Sequence, residues 1–137
     1  MNATDILKEK GIKKSAQRIA VINALQSAKR PLGEDEIKVD MGEMYDRITF
    51  YRTMQVLVNA GIVHRINVDN FRVEYALNAD DGDMQHVHFY CRQCHKVFCL
   101  KDIPVNHYDL PEGYKEEDCE ILVRGLCPSC SEQEARM

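Results

Sequence analysis

No apolar run in the 137 residues approaches the ~18 that a membrane-spanning helix needs, so a transmembrane protein is excluded. The stretch from Met1 to Lys14 mixes Asp5, Lys8, Glu9, Lys10, Lys13 and Lys14 and holds no apolar core of a leader. No secretory signal is therefore expected, and the expected compartment is the cytoplasm. Cysteine is too scarce for a disulfide scaffold: six residues, against the ~8–10% that such scaffolds carry. In a reducing compartment, paired thiols serve as metal ligands more readily than as bridges. Internal repeats and low-complexity stretches are lacking as well. Enzyme signatures are also missing. A zinc deaminase needs His-x-Glu and Pro-Cys-x-x-Cys, whereas Val87-His88 follows His86 and Leu126 precedes Cys127. No Ser-His-Asp arrangement or Glu-activated water is legible, so neither enzymatic activity nor an organic cofactor is expected.

What is present suits a folded chain. Apolar residues make up 45% and charged residues 29%, enough for a core and too apolar for disorder. The length fits one compact domain or two small ones. The net charge of −4 looks wrong for a nucleic-acid binder until it is divided along the chain. Residues 1–80 carry 12 basic against 11 acidic side chains; residues 81–137 carry 6 against 11. Within residues 1–30 the count is 7 basic against 2 acidic, which marks the front of the chain as the end to meet an anion.

The pattern predicts an α+β protein in two parts. A short helix over 3–10 ends at Gly11, a usual residue just past a helix. Ser15 caps a second, carrying Ile19, Val21, Ile22 and Leu25 at a period near 3.6. A third fits Gly33 to Met41, with Glu34, Asp35 and Glu36 at the positive end of its dipole. A fourth runs from about Asp46 to Ala60 and stops at Gly61. The period then falls to two through Ile62, His64, Ile66, Val68 and Phe71, Val73, Tyr75, Leu77, with Asp69-Asn70 suiting a tight turn. Three helices and a hairpin following the first helix outline a winged helix-turn-helix over residues 1–79. Residues 80–85 form the expected hinge, and 86–137 a second, β-rich domain with strands near Val87–Tyr90, Lys96–Leu100 and Glu120–Leu126.

In the fourth helix Phe50, Met54, Leu57 and Val58 share one face, which should be core. Opposite stand Arg52, Gln55 and Asn59, flanked by Tyr51. Arg can fork onto guanine or phosphate, Gln and Asn can bond adenine, and an aromatic edge can touch a thymine methyl. By itself such a face suits a plain amphipathic helix with a wet polar side better than a DNA reader. The hairpin after it, and Lys13, Lys14 and Arg18 as phosphate holders, favour DNA.

Cys91-x-x-Cys94 and Cys127-x-x-Cys130 are two knuckles that together complete a closed, tetrahedral, structural zinc site. The 32 residues between the pairs imply a small β unit rather than a minimal finger. His86 and His88, two apart on a strand, project to one side, and Cys99 on the paired strand can face them. Two imidazoles and a thiolate suit Zn²⁺, or copper or cobalt, over Fe²⁺ or Mn²⁺. A fourth ligand could come from Asp80, Asp81, Asp83 or Glu74. Such a site, closing across the hinge, would let a metal order one domain against the other. Cys119 is expected as a core thiol and His107 as a surface residue; His64 and His95 carry no signal.

Together these pieces resemble the ferric uptake regulator family of metal-dependent bacterial repressors. The resemblance rests on Thr49-Phe50-Tyr51-Arg52, on Asn59-Ala60-Gly61-Ile62-Val63, and on His86-Val-His88-Phe-Tyr-Cys91-x-x-Cys94 with Cys127-x-x-Cys130. It implies a homodimer, with an N-terminal winged helix and a C-terminal α/β dimerisation domain, that represses by binding operator DNA when a sensory divalent metal is held. On that resemblance Arg18, Tyr51 and Arg52 are DNA contacts, and the full expected set is Lys14, Arg18, Thr49, Tyr51, Arg52 and Gln55. His86 and His88 are sensory ligands, and Cys99 stands where relatives place a carboxylate. Zn²⁺ is the expected structural ion, and Zn²⁺ before Fe²⁺ the expected sensory one. Several positions depart from the family pattern. Arg30-Pro31 stands where relatives often supply a histidine, Ala76 where they end the wing on a carboxylate, and Val87 where an Asp is common. Pro104 and Pro111 should shorten the dimerisation helix. Cys99 argues against a peroxide sensor and towards the zinc uptake branch. The rival reading is a zinc-stabilised protein–protein adaptor that uses its winged helix without sensing metal.

Overall fold

The computed structural model describes residues 1–69, 72–78, 86–104, 108–117 and 119–135, with the side chains of His86, Lys101 and Pro104 left aside. Two compact units divide the chain, Met1–Gly82 and Asp83–Met137.

The first unit is built from local signals that agree with one another. Helix α1 (Ala3–Glu9) is capped by the Asn2 side chain, which accepts from the Asp5 N–H at 2.8 Å. Helix α2 (Ala16–Ala28) is capped by Ser15 and ends on Lys29 in the left-handed region, φ 56°. A two-residue strand β1 (Leu32–Gly33) leads into α3 (Glu34–Met41), and a 3₁₀ turn at Gly42–Met44 leads to α4 (Arg47–Asn59). Gly61 at φ +77° lets the chain leave α4 and enter β2 (Val63–Asn67), which pairs antiparallel with β3 (Val73–Leu77). Strand β1 adds to β3, giving the order β1-β3-β2.

Leu7, Val21, Ile22, Ile37, Phe50, Leu57 and Val63 pack into a single buried cluster with Tyr75 against it. The predicted core face of α4 is the buried one, except that Val58 is half-buried and Thr53 joins the interior. The hairpin departs from simple alternation: Ile62 and Val63 are both buried, because the strand enters from a helix end that is itself part of the core.

The second unit is a sheet of order β5-β4-β6: β4 (His86–Cys91) pairs antiparallel with β5 (Val97–Pro104) and parallel with β6 (Ile121–Gly125). Helix α5 (Pro128–Ala135) comes next, starting inside the second cysteine pair. Two expectations change here. Strand β5 continues to Pro104, and no helix occurs in the described residues 108–117, so the shortened helix expected after Leu100 is replaced there by irregular chain. Pro104 ends the strand, and Pro111 and Gly113 interrupt the chain beyond it, so no unbroken stretch is left for a helix. No described helix is long and apolar enough to cross a membrane. The 80–85 stretch, with Asp80, Asp81 and Asp83, and His107 lie outside the described residues.

Asp46 starts α4. Its carboxylate accepts from the Thr49 N–H at 2.9 Å and the Thr49 hydroxyl at 2.8 Å. Those bonds, the backbone one foremost, together with the charge of Arg52, hold its pKa below the ordinary 3.8. A lowered carboxylate pKa adds stability above the unfolded value and loses it as pH falls through the folded one. Asp46→Ala should therefore lower the thermal midpoint at pH 7, and the gap to wild type should close as pH falls below about 3.8; a gap that persists at low pH would contradict the charged-cap account.

Candidate metal centre and nucleic-acid interface

The four knuckle cysteines converge. Their sulfurs all lie within 4.8 Å of one another, and Cys91, Cys127 and Cys130 are buried. Cys94 Sγ stands 3.9 Å from Cys127 Sγ, although the two are 33 residues apart. Four ~2.3 Å bonds in a tetrahedron require sulfurs about 3.8 Å apart, so the cluster is already close to the spacing a zinc ion demands. The knuckle turn also aims backbone N–H groups at sulfur: Cys94 N–H donates to Cys91 Sγ at 3.4 Å. Burial opposes the Cys91 thiolate. The N–H groups of Cys94, Cys127 and Gln93 outweigh that penalty and bring its pKa down to about 5. Cys130 moves the other way, to about 12, through burial first and then the three neighbouring sulfurs. Four mutually repelling sulfurs in one buried spot call for a cation. The donor set fits Zn²⁺, which Cys91, Cys94, Cys127 and Cys130 would hold with no position left open.

His88 and Cys99 are direct partners across β4 and β5, so their side chains leave the same face of the sheet. His88 is buried at 1% exposure and Cys99 is half-buried. A bulge falls between His86 and Val87, where the pairing steps from Pro104 to Leu100. The extra residues, 101–103, lie on β5, so the irregularity belongs to the partner strand rather than to the stretch that carries the two histidines. The side chain of His86 lies outside the described residues, so the expected third member of the set is placed only by its backbone. Glu74 is in the first unit: it is buried at 1% exposure, with Oε1 accepting from Arg72 Nη2 at 2.6 Å and Nε at 3.1 Å. Cys119 is half-buried just before β6, not in the core as expected. His95 Nδ1 meets the Tyr90 hydroxyl at 2.9 Å, and His64 Nδ1 meets Asn78 Oδ1 at 2.6 Å.

The exposed side of α4 carries Tyr51, Arg52, Gln55 and Asn59. Beside it runs a groove of about 400 Å³, with Tyr51, Gln55 and Asn59 on the helix wall and Arg65 and Tyr75 on the β2–β3 wall. Thr49 is half-buried on its Asp46 cap. Lys13 and Lys14 are exposed, and Arg18 folds back so that Nη1 donates to the Lys13 carbonyl at 2.5 Å. Sequence reasoning missed three participants. Ile48 is 65% exposed and stands four residues before Arg52 and seven before Gln55, on the same helix face. Its apolar side chain suggests core, but that spacing was the available signal. Arg47 lies over the Tyr51 ring, 5.8 Å from its centre. Glu34, from α3, accepts the hydroxyl protons of Tyr51, at 2.9 Å, and of Tyr45. That carboxylate, foremost by hydrogen bonding, pushes Tyr45 up to about 12.

A family model described as the ferric uptake regulator family matches residues 9–123. A ferric uptake regulation protein of Synechococcus elongatus is 25% identical over 138 aligned residues, covering 90% of this chain and 89% of that protein. One from Haemophilus ducreyi is 30% identical over 105, covering 72% and 68%. Among solved structures, a zinc uptake regulator complexed with zinc and DNA superposes with a TM-score of 0.65 at 20% identity, covering 97% of this chain and 93% of that one.

If the four cysteines hold one zinc, Cys127→Ser should lower the zinc content by about one ion per chain and melt the β signal of the second unit. Elemental analysis and circular dichroism check this; an unchanged metal count would contradict the assignment.

Proposed function

Since this chain belongs to the ferric uptake regulator family, and is thus a metal-responsive transcription regulator rather than an enzyme, we propose that it is a cytoplasmic repressor that grips operator DNA as a homodimer while a sensory divalent ion, zinc before iron, is held. The observation that carries this reading is the exposed Tyr51-Arg52-Gln55 face of α4 beside a β ribbon, a shape and donor set suited to a major groove. In it Arg52 and Gln55 read base edges, Tyr51 and Thr49 flank them, and Lys14 and Arg18 hold phosphates. The acidic residues of the second unit do not oppose this, because the basic excess sits in residues 1–30.

His86, His88 and Cys99 would hold the sensory ion, and Cys91, Cys94, Cys127 and Cys130 the structural one. When bound, a divalent ion supplies positive charge and directed bonds that fix its ligands' geometry. The direct pairing of His88 with Cys99 supports the sensory set, and thiolate with imidazole supports zinc over iron. The resemblance in fold to a zinc uptake regulator complexed with zinc and DNA agrees with duplex DNA as partner.

Operator binding should appear with metal and fall away on chelation. Its log–log salt slope should be clearly negative, and Lys14→Ala should flatten that slope by about one. Arg52→Ala should weaken specific binding by about five- to a hundredfold. A His86→Ala/His88→Ala double variant should carry one ion where wild type carries two, and should lose the metal response. Metal-independent binding, or a slope near zero, would overturn the proposal. Partner-protein binding that survives Arg52→Ala would favour a zinc-stabilised adaptor instead.

A further inference from the structure

Glu34 is the first residue of α3, yet its carboxylate works on the next helix along the chain. Oε1 accepts from the Tyr51 hydroxyl at 2.9 Å, and Oε2 accepts from Tyr45. The Tyr51 ring is fixed by two further contacts. The Phe50 ring meets it edge-on at 5.6 Å between centroids, and the Arg47 guanidinium lies 5.8 Å from its centre. Ring plane and hydroxyl rotor are therefore both set, on a residue that remains 46% exposed.

Hydrogen-bond polarity is then a matter of proton counting. A phenol carries one proton, and a carboxylate carries none to give. The bond between them forms only with the Tyr51 proton turned towards Glu34. Arg47, which lies over the ring and also hydrogen-bonds the Tyr51 hydroxyl, can only donate, so it takes a lone pair and offers no alternative home for that proton. With its proton held by Glu34 and one lone pair engaged by Arg47, the Tyr51 oxygen has only its remaining lone-pair density to present outward. In the major groove, adenine N6 and cytosine N4 are donors, while guanine N7 and O6 and thymine O4 are acceptors. We infer that Glu34 is a specificity-determining residue: by holding the Tyr51 proton it makes that hydroxyl select a base bearing an amino group and reject guanine or thymine at the same place. This rests on the DNA-reading role proposed above, and it adds a residue that touches no base.

The alternative role for Glu34 is plain repulsion of phosphate, which would weaken binding to all sequences alike. Selecting bound duplexes from a randomised library separates the two, using the full, zinc-loaded chain as wild type, Glu34→Ala and Tyr51→Phe at one salt concentration. Wild type should enrich adenine or cytosine at one position of each half-site. Both variants should lose that preference by about three- to tenfold at the same position, with the positions set by Arg52 unchanged. Tyr51→Phe alters only an exposed hydroxyl, so it keeps the test decisive if Glu34→Ala folds poorly. An unchanged base preference in either folded variant overturns the inference, including the case where Glu34→Ala merely tightens binding to every sequence. Absence of any enrichment by wild type overturns the DNA-reading proposal itself, and this inference with it.

Discussion

Four sulfurs brought within 4.8 Å of each other, from knuckles 33 residues apart in sequence, are the constraint on which the second unit depends. That unit spans only Asp83–Met137; one of its buried clusters gathers Cys91, Cys127 and Cys130 with half-buried Phe89, Cys94, Phe98 and Leu126 around them, and Val87, His88 and Val97 are buried as well. A segment of that size buries only enough apolar surface for marginal stability, and a structural ion is one of the usual supplements. The first unit needs no such device. Phe50, Leu7, Ile22, Ile37 and Leu57 are fully buried in one continuous core, so its α4 is held by ordinary packing. The division of labour is physical: burial supports the proposed reading face, and coordination would support the sheet that carries the candidate sensory residues.

The proposed reading face is also preorganised from within. Asp46 fixes where α4 begins, Phe50 anchors it inwardly, and Glu34 ties Tyr51 back to α3. Arg52 and Gln55 stand exposed immediately after these fixed points on the helix. If this face is the recognition surface proposed above, it would lose little side-chain freedom on meeting a duplex, because part of the ordering is already done in the free protein.

Much of this was legible in the residue order. Ser15, Asp46 and Gly61 act within a few residues of themselves, and the helices they delimit are found where the spacing predicts. The two knuckles were legible for the same reason, since two residues between thiols dictate a local turn. The identity of the exposed face followed from the period of Phe50, Met54 and Leu57. What the sequence hid depends on distant partners. Strand β1 is two residues long and exists only because β3 receives it. The bulge at His86/Val87 is a property of pairing with β5, and the Glu34–Tyr51 bond spans 17 residues. Ile48 hid because its apolar chemistry suggests the interior, whereas its place on α4 puts it outside. The missing helix in 108–117 was only half anticipated: the prolines signalled a break, but not that β5 would extend to Pro104.

The central claim, that one cation seated among four thiolates holds the second unit together, is tested most directly by X-ray absorption at the zinc edge. The sample is chain in which His86, His88 and Cys99 have been replaced, so that a single ion remains. The account predicts a single shell of four sulfurs at about 2.3 Å. A shell of nitrogen or oxygen, or no bound zinc with the thiols oxidised in pairs, would contradict it.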